Sequence, residues 1–249
     1  MFMYTDYNQH LLDNVKKIHF IGCGGSGMYP LIQILSAKGY DISGSDVLDG
    51  SIIRSEREMG VKVTLGHSAD NVVGADLVVY SAAISKDNVE LNAAASYGIP
   101  TIERSVLLGY VSRLYKQSIC VSGTHGKTTT TSMATHIFMA AQADPTVMIG
   151  GTLPLLHAGY RVGQGDTIIL ESCEYCNSFL SFFPTVAVIL NVEEDHLDFF
   201  KDLEDVEHSF RAFADRVPAG GLIVANCEDA NTMATLAGET RPMLTFGVE

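Results

Sequence analysis

The residues best suited to chemistry lie in one stretch, residues 118–133, which reads S-I-C-V-S-G-T-H-G-K-T-T-T-T-S-M. A short β-branched run leads into two glycines, a lysine and four threonines, and an amphipathic segment continues through Ala141. This order of strand, glycine loop and helix is typical of sites that hold a polyphosphate on backbone N–H groups at a helix N-terminus. The pattern places Lys127 to reach the β- and γ-phosphates and the Thr128 hydroxyl to bind Mg²⁺.

The loop departs from the usual phosphate-binding pattern, because Val121 stands where a glycine is expected five residues before Gly126. It is therefore a shorter G-x-x-G-K-T-T-T variant. A glycine turn beside a surface lysine is the alternative interpretation. The strand before the loop and the helix after it favour phosphate binding.

A strand end in the same half of the chain carries a carboxylate suited to a metal–nucleotide site. The apolar run T-I-I-L ends in Glu171, and a carboxylate at the end of a buried strand reaches the phosphate loop, where Mg²⁺ takes oxygen ligands. The next apolar strand ends in N-V-E-E-D-H, where a solvated acidic turn describes Glu193 and Glu194. His196 is either a structural hydrogen-bonding group or, within this acidic cluster, a ligand or proton-handling group.

A second glycine motif, G-C-G-G-S-G at residues 22–27, follows an earlier strand and precedes a helix. Asp46 ends the next strand, at about the spacing of the acid that binds a ribose hydroxyl, although it equally suits a cap of the turn S-G-S-D. The motif predicts a bound diphosphate from NAD, FAD or a UDP-sugar. His67 and Ser81 follow later strand ends, where open α/β sheets bind ligands, and an ordinary turn group is the alternative for His67.

Strands and amphipathic helices alternate along the whole chain and position these residues. Strands are predicted at 18–21, 41–43, 61–65, 77–80, 101–102, 119–121, 146–149, 167–170, 186–190, 222–225 and 243–246, and helices at 28–38, 52–59, 89–97, 104–116, 127–141, 202–217 and 229–236. Such alternation predicts right-handed βαβ units and parallel sheets. We expect an α/β protein with a Rossmann-like domain at 1–117 and a phosphate-loop α/β domain at 118–249.

Composition narrows the classes of function. Sixteen Lys and Arg against 29 Asp and Glu give a net charge of −13, which argues against a nucleic-acid surface and requires local groups to hold any anionic ligand. Five cysteines, with Cys23 and Cys120 in apolar runs, are typical of reduced thiols, and we interpret the lone C-x-x-C of Cys173 and Cys176 as two buried small side chains. The apolar runs are too short to span a bilayer, and residues 1–10 do not resemble a signal peptide, so we expect a cytoplasmic protein without membrane partners.

Three sequence blocks together resemble a known family. G-T-H-G-K-T-T-T at 123–130, N-V-E-E-D-H-L-D at 191–198 and H-F-I-G-C-G-G-S-G-M at 19–28 are similar to the ATP-dependent Mur ligases of peptidoglycan synthesis. The third block, with S-G-S-D, L-G-H and Y-S-A-A-I, resembles the branch that joins L-alanine to UDP-N-acetylmuramate. The resemblance implies a UDP-sugar domain, a central ATPase domain and a C-terminal domain. It also implies that ATP phosphorylates the lactyl carboxylate, and that L-alanine then displaces phosphate.

The matched positions imply a site. Lys127 neutralises the γ-phosphoryl group, Thr128 and Glu171 bind one Mg²⁺, and His196 binds a second. ATP phosphates are held by Gly123, Thr124, His125, Gly126, Lys127, Thr128 and Thr129. For the UDP-sugar we expect contacts from Gly22, Gly24, Gly25, Ser26, Gly27, Asp46, His67 and Ser81.

Two departures from the family pattern matter. The run after Glu171 reads E-S-C-E-Y-C-N-S-F-L instead of E-A-D-E-x-D-x-S-F-L, so Cys173 and Cys176 replace aspartates. The chain also stops at Glu249, before the expected adenine-contacting His-Asn segment, so we expect a fragment that cannot ligate alone.

Three alternatives remain open at this point. An NAD-dependent oxidoreductase would use residues 22–27 but leave residues 123–131 without a purpose. A nucleotide-sensing module would bind ATP and no sugar nucleotide. A ligase that recycles murein tripeptide would share both domains. The amino acid accepted and the oligomeric state are left open.

Overall fold

The computed structural model describes residues 11–248, so the segment in which we expect no signal peptide, residues 1–10, lies outside it. The chain divides into two compact units, the first ending at Val111 and the second beginning at Ser112. Within the described residues, no helix has both the length and the apolar character needed to cross a bilayer.

The first unit is built on a five-stranded sheet in which every strand pair is parallel. Its elements in chain order are β1 (Lys17–Ile21), α1 (Tyr29–Ala37), β2 (Asp41–Asp46), α2 (Ser51–Glu58), β3 (Lys62–Leu65), a 3-10 helix (Ala69–Val72), β4 (Leu77–Tyr80), α3 (Val89–Ser96), β5 (Thr101–Glu103) and α4 (Arg104–Ser112). The strand order β3-β2-β1-β4-β5 confirms the Rossmann-like sheet, because the order reverses between β1 and β4.

The second unit is built on a seven-stranded sheet of order β12-β11-β10-β6-β9-β7-β8. Its elements are β6 (Gln117–Ser122), α5 (Lys127–Ala140), β7 (Thr146–Leu153), β8 (Ala158–Arg161), β9 (Thr167–Glu171), a 3-10 helix (Tyr175–Ser181), β10 (Val186–Ile189), α6 (Leu203–Ala214), β11 (Leu222–Asn226), α7 (Ala230–Thr235) and β12 (Met243–Phe246). The central strands are buried on both faces, as in parallel sheets covered by helices. Their carboxyl ends therefore meet at one edge of the sheet.

Two predictions about elements were wrong in detail. The second sheet is not wholly parallel, because β8 pairs with β7 antiparallel. Only residues 154–157 separate these strands, which suits a hairpin and is too short for a parallel crossover. Helix α4 ends at Ser112 rather than at 116, because the next residues lead into β6 and the Tyr115 hydroxyl donates to Thr146 Oγ1 at 2.9 Å.

The interpretation of the C-x-x-C pair as two buried side chains was also wrong. Cys176 is exposed and Cys173 is half-buried, and neither forms a disulfide bond. Cys176 and Asn177 have φ values of +53° and +56°, and this left-handed turn carries the chain away from a regular helix. Local sequence spacing does not reveal such a turn.

Candidate functional site

The loop between β6 and α5 has the geometry of a phosphate cradle. Gly123 has a φ of +140°, and a Cβ atom there would lie 2.8 Å from Cβ of Leu190, so this position has no room for a side chain. Gly126 precedes the helix with a φ of +83° and no side-chain cap on the helix N-terminus. The first N–H groups of α5 are thus left for an anion, which the helix dipole also favours.

The loop is braced by the end of β10. His125 N donates to Asn191 Oδ1 at 2.7 Å, and Asn191 Nδ2 donates back to the His125 carbonyl at 3.1 Å. Glu193 N donates to Thr124 Oγ1 at 2.9 Å. Asn191 belongs to the N-V-E-E-D-H-L-D block of the sequence analysis. Its role as a brace depends on the pairing of β6 with β10, which are far apart in the sequence.

Lys127 is the first residue of α5, and three acceptors hold its side chain against the loop. Its Nζ donates to the carbonyls of Gly123 at 2.7 Å and Thr124 at 3.0 Å. It also lies 3.0 Å from each carboxylate oxygen of Glu174, although only the contact with Oε1 has hydrogen-bonding geometry, so Oε2 is buried without a partner. The Glu174 side chain is only 2% exposed. Sequence analysis did not assign Glu174 a role in the site.

Thr128 and Glu171 meet, as expected for two ligands of one cation. Thr128 Oγ1 donates to Glu171 Oε1 at 2.9 Å, and Gly150 N donates to Glu171 Oε2 at 2.7 Å. Gly150 lies on β7, and a Cβ atom there would come within 2.7 Å of Glu171 Oε1. The hydroxyl and carboxylate oxygens are ligands that Mg²⁺ prefers, so this pair fits a magnesium ion.

His196 lies in a second cluster. Its Nε2 is 3.8 Å from Glu174 Oε1 and its Nδ1 is 4.0 Å from Asp195 Oδ1. One potential ligand atom from each of these three residues lies within 4.8 Å of the others. Glu174 Oε2 is buried without a hydrogen bond, although it lies 3.0 Å from Lys127 Nζ, and this donor set fits a divalent cation. None of the described contacts joins His196 to Thr128 or Glu171.

The glycine motif of the first unit lies where the strand order reverses. Gly22 has a φ of +78°, and its missing Cβ would lie 3.8 Å from Ser81 Oγ, at the end of β4. Asp46 accepts from Gly24 N at 2.9 Å and from Leu48 N at 3.0 Å, so its carboxylate braces the loop and caps its own turn. Its contact with a ribose stays a prediction.

Arg104 lies against this motif and was missed by sequence analysis. A Cβ atom on Gly27 would lie 3.2 Å from Arg104 Nε and 3.3 Å from Cζ, so glycine gives the guanidinium room beside the loop. Arg104 begins α4, directly after β5 at the carboxyl edge of the sheet. Its position among the loop-bearing strand ends is the signal that could have identified it.

His67 packs into a buried polar cluster rather than standing free. Its Nδ1 lies 3.2 Å from Ser45 Oγ and 3.3 Å from Glu90 Oε2. Burial alone would raise the pKa of Glu90, but the nearby His19 imidazole and hydrogen bonds from Ser45 and Asn71 lower it to about 2. Glu90 is therefore ionised and fixes His67, whose role in ligand binding stays a prediction.

Comparison with known proteins gives consistent matches for both units. The model of the Mur ligase family, catalytic domain, matches residues 17–116, and that of the Mur ligase middle domain matches residues 121–249. A UDP-N-acetylmuramate–L-alanine ligase from Caldanaerobacter subterraneus subsp. tengcongensis is 46% identical over 95% of this chain and 52% of its own length. The ligase of the same name from Agathobacter rectalis is 48% identical over 93% of this chain and 51% of its own length. The chain thus spans about half the length of the curated relatives it matches.

Solved structures agree with this grouping. A UDP-N-acetylmuramate–alanine ligase from Thermotoga maritima has a TM-score of 0.71 at 32% identity, covering 94% of this chain and 53% of its own. A UDP-N-acetylmuramate:L-alanyl-γ-D-glutamyl-meso-diaminopimelate ligase from Neisseria meningitides has a TM-score of 0.78 at 28% identity. The match covers 94% of this chain and 78% of the solved chain.

Proposed function

Because the chain belongs to the Mur ligase family, we propose that it forms the UDP-sugar and ATP parts of a cytoplasmic ligase that joins L-alanine to UDP-N-acetylmuramate. The observation that carries the proposal is the second unit's loop, where Lys127, the Thr128–Glu171 pair and the His196 cluster surround one helix N-terminus. The curated relatives at 43–48% identity bear the alanine ligase name. Among the solved structures, the alanine ligase is 32% identical and the L-alanyl-γ-D-glutamyl-meso-diaminopimelate ligase is 28% identical. These identities favour alanine over the tripeptide.

We assign residues 118–249 to ATP. Residues 123–129 hold the phosphates through backbone N–H groups, and Lys127 neutralises charge on the γ-phosphoryl group. The γ-phosphoryl then passes to the lactyl carboxylate, and ADP leaves. The amine of L-alanine attacks the acyl carbon, loses a proton and expels phosphate.

Two cation positions belong to this proposal. Thr128 and Glu171 would hold one Mg²⁺, and His196 with Glu174 and Asp195 would hold a second. Magnesium would supply positive charge against the phosphate oxygens. Asn191 braces the phosphate loop through His125. Gly150 N and Lys127 Nζ fix the carboxylates of Glu171 and Glu174 by hydrogen bonds.

We assign residues 1–117 to the sugar nucleotide. The loop of Gly22, Gly24, Gly25, Ser26 and Gly27 faces the strand-order reversal, where such sheets bind ligands, and Arg104 adds positive charge beside it. Asp46, His67 and Ser81 lie on the same edge. In a chain of net charge −13, this local arginine suits a diphosphate.

Thermal unfolding with UDP-N-acetylmuramate, NAD or Mg-ATP tests the assignment. A ligand at about a hundred times its dissociation constant adds roughly 2.7 kcal/mol, which shifts the midpoint measurably. We expect stabilisation by the sugar nucleotide and by Mg-ATP, and Lys127→Ala should remove the Mg-ATP shift alone. Stabilisation by NAD without the sugar nucleotide would refute the ligase, and a shift with Mg-ATP only would favour a nucleotide-sensing module.

A further inference from the structure

Tyr175 links the two polar segments that flank the phosphate loop. It begins the 3-10 helix Tyr175–Ser181, directly after Glu174, and its hydroxyl donates to Asp198 Oδ2 at 2.8 Å. Asp198 lies two residues beyond His196, in the loop after β10. The hydrogen bond therefore ties the Glu174 segment to the His196 loop.

The Tyr175 ring also lies against the His196 imidazole. The ring centroids are 4.7 Å apart with the planes tilted by 45°, and Phe199 contacts the tyrosine edge-on at 6.1 Å. This contact restricts rotation of the imidazole about its side-chain bonds. The ring and the hydroxyl thus act on the same loop from one residue.

The backbone at His196 has an unusual conformation that local hydrogen bonds maintain. Its φ of +52° lies in the left-handed region, which costs a non-glycine residue on the order of 1 kcal/mol. Its carbonyl accepts from Phe199 N at 2.8 Å and Phe200 N at 2.9 Å, and these bonds fix the turn. The backbone is therefore fixed by local bonds, while the direction of the imidazole depends on its neighbours.

The Tyr175–Asp198 bond joins a phenol donor to a carboxylate acceptor. Hydrogen bonds to a charged acceptor are stronger than those between neutral groups, so this bond is suited to hold the two segments together.

We propose that Tyr175 is a positioning residue that directs the His196 imidazole toward Glu174 for cation binding. The proposal rests on the proposed function, because it concerns the second cation position. Glu174 and Tyr175 are adjacent, so one segment supplies both a carboxylate and the group that orients the imidazole facing it. Sequence spacing gave Tyr175 no such role.

The test is Mn²⁺ binding to the whole chain, followed by electron paramagnetic resonance and by paramagnetic broadening of the His196 ring signal, assigned with His196→Gln. Tyr175→Phe keeps the ring and loses the bond to Asp198, and we expect Mn²⁺ affinity at this position to fall about tenfold, as for outer partners of metal ligands. Tyr175→Ala removes the ring as well, so its Mn²⁺ affinity should fall further. Tyr97→Phe, at an exposed tyrosine of the first unit, is the matched control and should bind as the parent does.

A double variant separates positioning from a general loss of structure. Asp198→Ala should weaken binding as Tyr175→Phe does, and the double variant should be no weaker than either single one, because both remove the same bond. Parent-like Mn²⁺ affinity in Tyr175→Phe and Tyr175→Ala, with His196 broadened in both, would overturn the inference and leave the cation site intact. Absence of broadening at His196 in the parent would overturn the cation site and the inference together.

Discussion

Glu56 offers a direct test of how a buried carboxyl group makes the stability of the first unit depend on pH. Its side chain is fully buried on α2, and neither carboxyl oxygen has a hydrogen-bond partner with suitable geometry. Burial raises its pKa from 4.5 to about 7, contact with the Cys23 thiol works against this, and the negative charge of Asp46 adds to it. Glu90, equally buried but surrounded by donors, shifts in the opposite direction.

The sign of the pH effect follows from these pKa values. Below pH 4.5 the carboxyl is protonated in both the folded and the unfolded chain, so it contributes no pH dependence. Between pH 4.5 and about 7 the unfolded chain releases this proton and the folded chain keeps it, so the free energy of unfolding falls as pH rises. A displacement of this size corresponds to roughly 3 kcal/mol, reached above pH 7.

The perturbation is Glu56→Gln, which keeps the shape and removes the titration. Urea unfolding of variant and parent at intervals from about pH 4.5 to 8 should show the variant gaining relative stability, approaching roughly 3 kcal/mol at the upper end. Glu58→Gln, on the exposed side of the same helix, is the matched control and should show no such trend. A difference between Glu56→Gln and parent that stays constant with pH would refute the reasoning.

Three further outcomes are expected. Gly44→Ala should destabilise the first unit by roughly 1–3 kcal/mol in urea unfolding, because the new Cβ would lie 2.7 Å from Sγ of Cys23; an unchanged midpoint would contradict this. Asn191→Ala removes both bonds to His125, so calorimetric titration should show several-fold weaker Mg-ATP binding with the sugar nucleotide unaffected, and equal affinity for Mg-ATP would argue against a bracing role. Arg104→Ala should weaken UDP-N-acetylmuramate binding more than uridine binding, whereas an equal loss for both would exclude a diphosphate contact.

The features that sequence predicted are those encoded in neighbouring residues. The phosphate loop, its strand and its helix lie within one short stretch, so glycine spacing and β-branched residues indicate them directly. Glu171 could be placed because four apolar residues predict a buried strand whose end must reach the loop. The alternation of strands and helices predicted the parallel sheet of the first unit, whereas its strand order is known only from the structure.

The features that sequence missed depend on contacts between distant residues. Glu174 contacts Lys127 from 47 positions away in the sequence, and no periodic pattern indicates the left-handed turn at Cys176 and Asn177 that follows Glu174. Glu56 belongs to a helix, S-I-I-R-S-E-R-E, in which four of the eight residues are charged, yet it lies one turn from Ile53 on the buried side. A pattern of charges favours exposure, and only the packing of α2 shows otherwise.

The electrostatics of the phosphate loop explain why nucleotide and cation binding belong together in the proposed enzyme. Lys127 already lies against the Glu174 carboxylate, and Glu171 and Asp195 bring further negative charge to the same region. A polyphosphate entering alone would meet these carboxylates at short range and would have to displace Glu174 from the lysine. Divalent cations at the Thr128–Glu171 and His196 positions would remove that repulsion while Glu174 keeps its place. In the proposed enzyme, we therefore expect cation binding to be a condition of nucleotide binding rather than an addition to it.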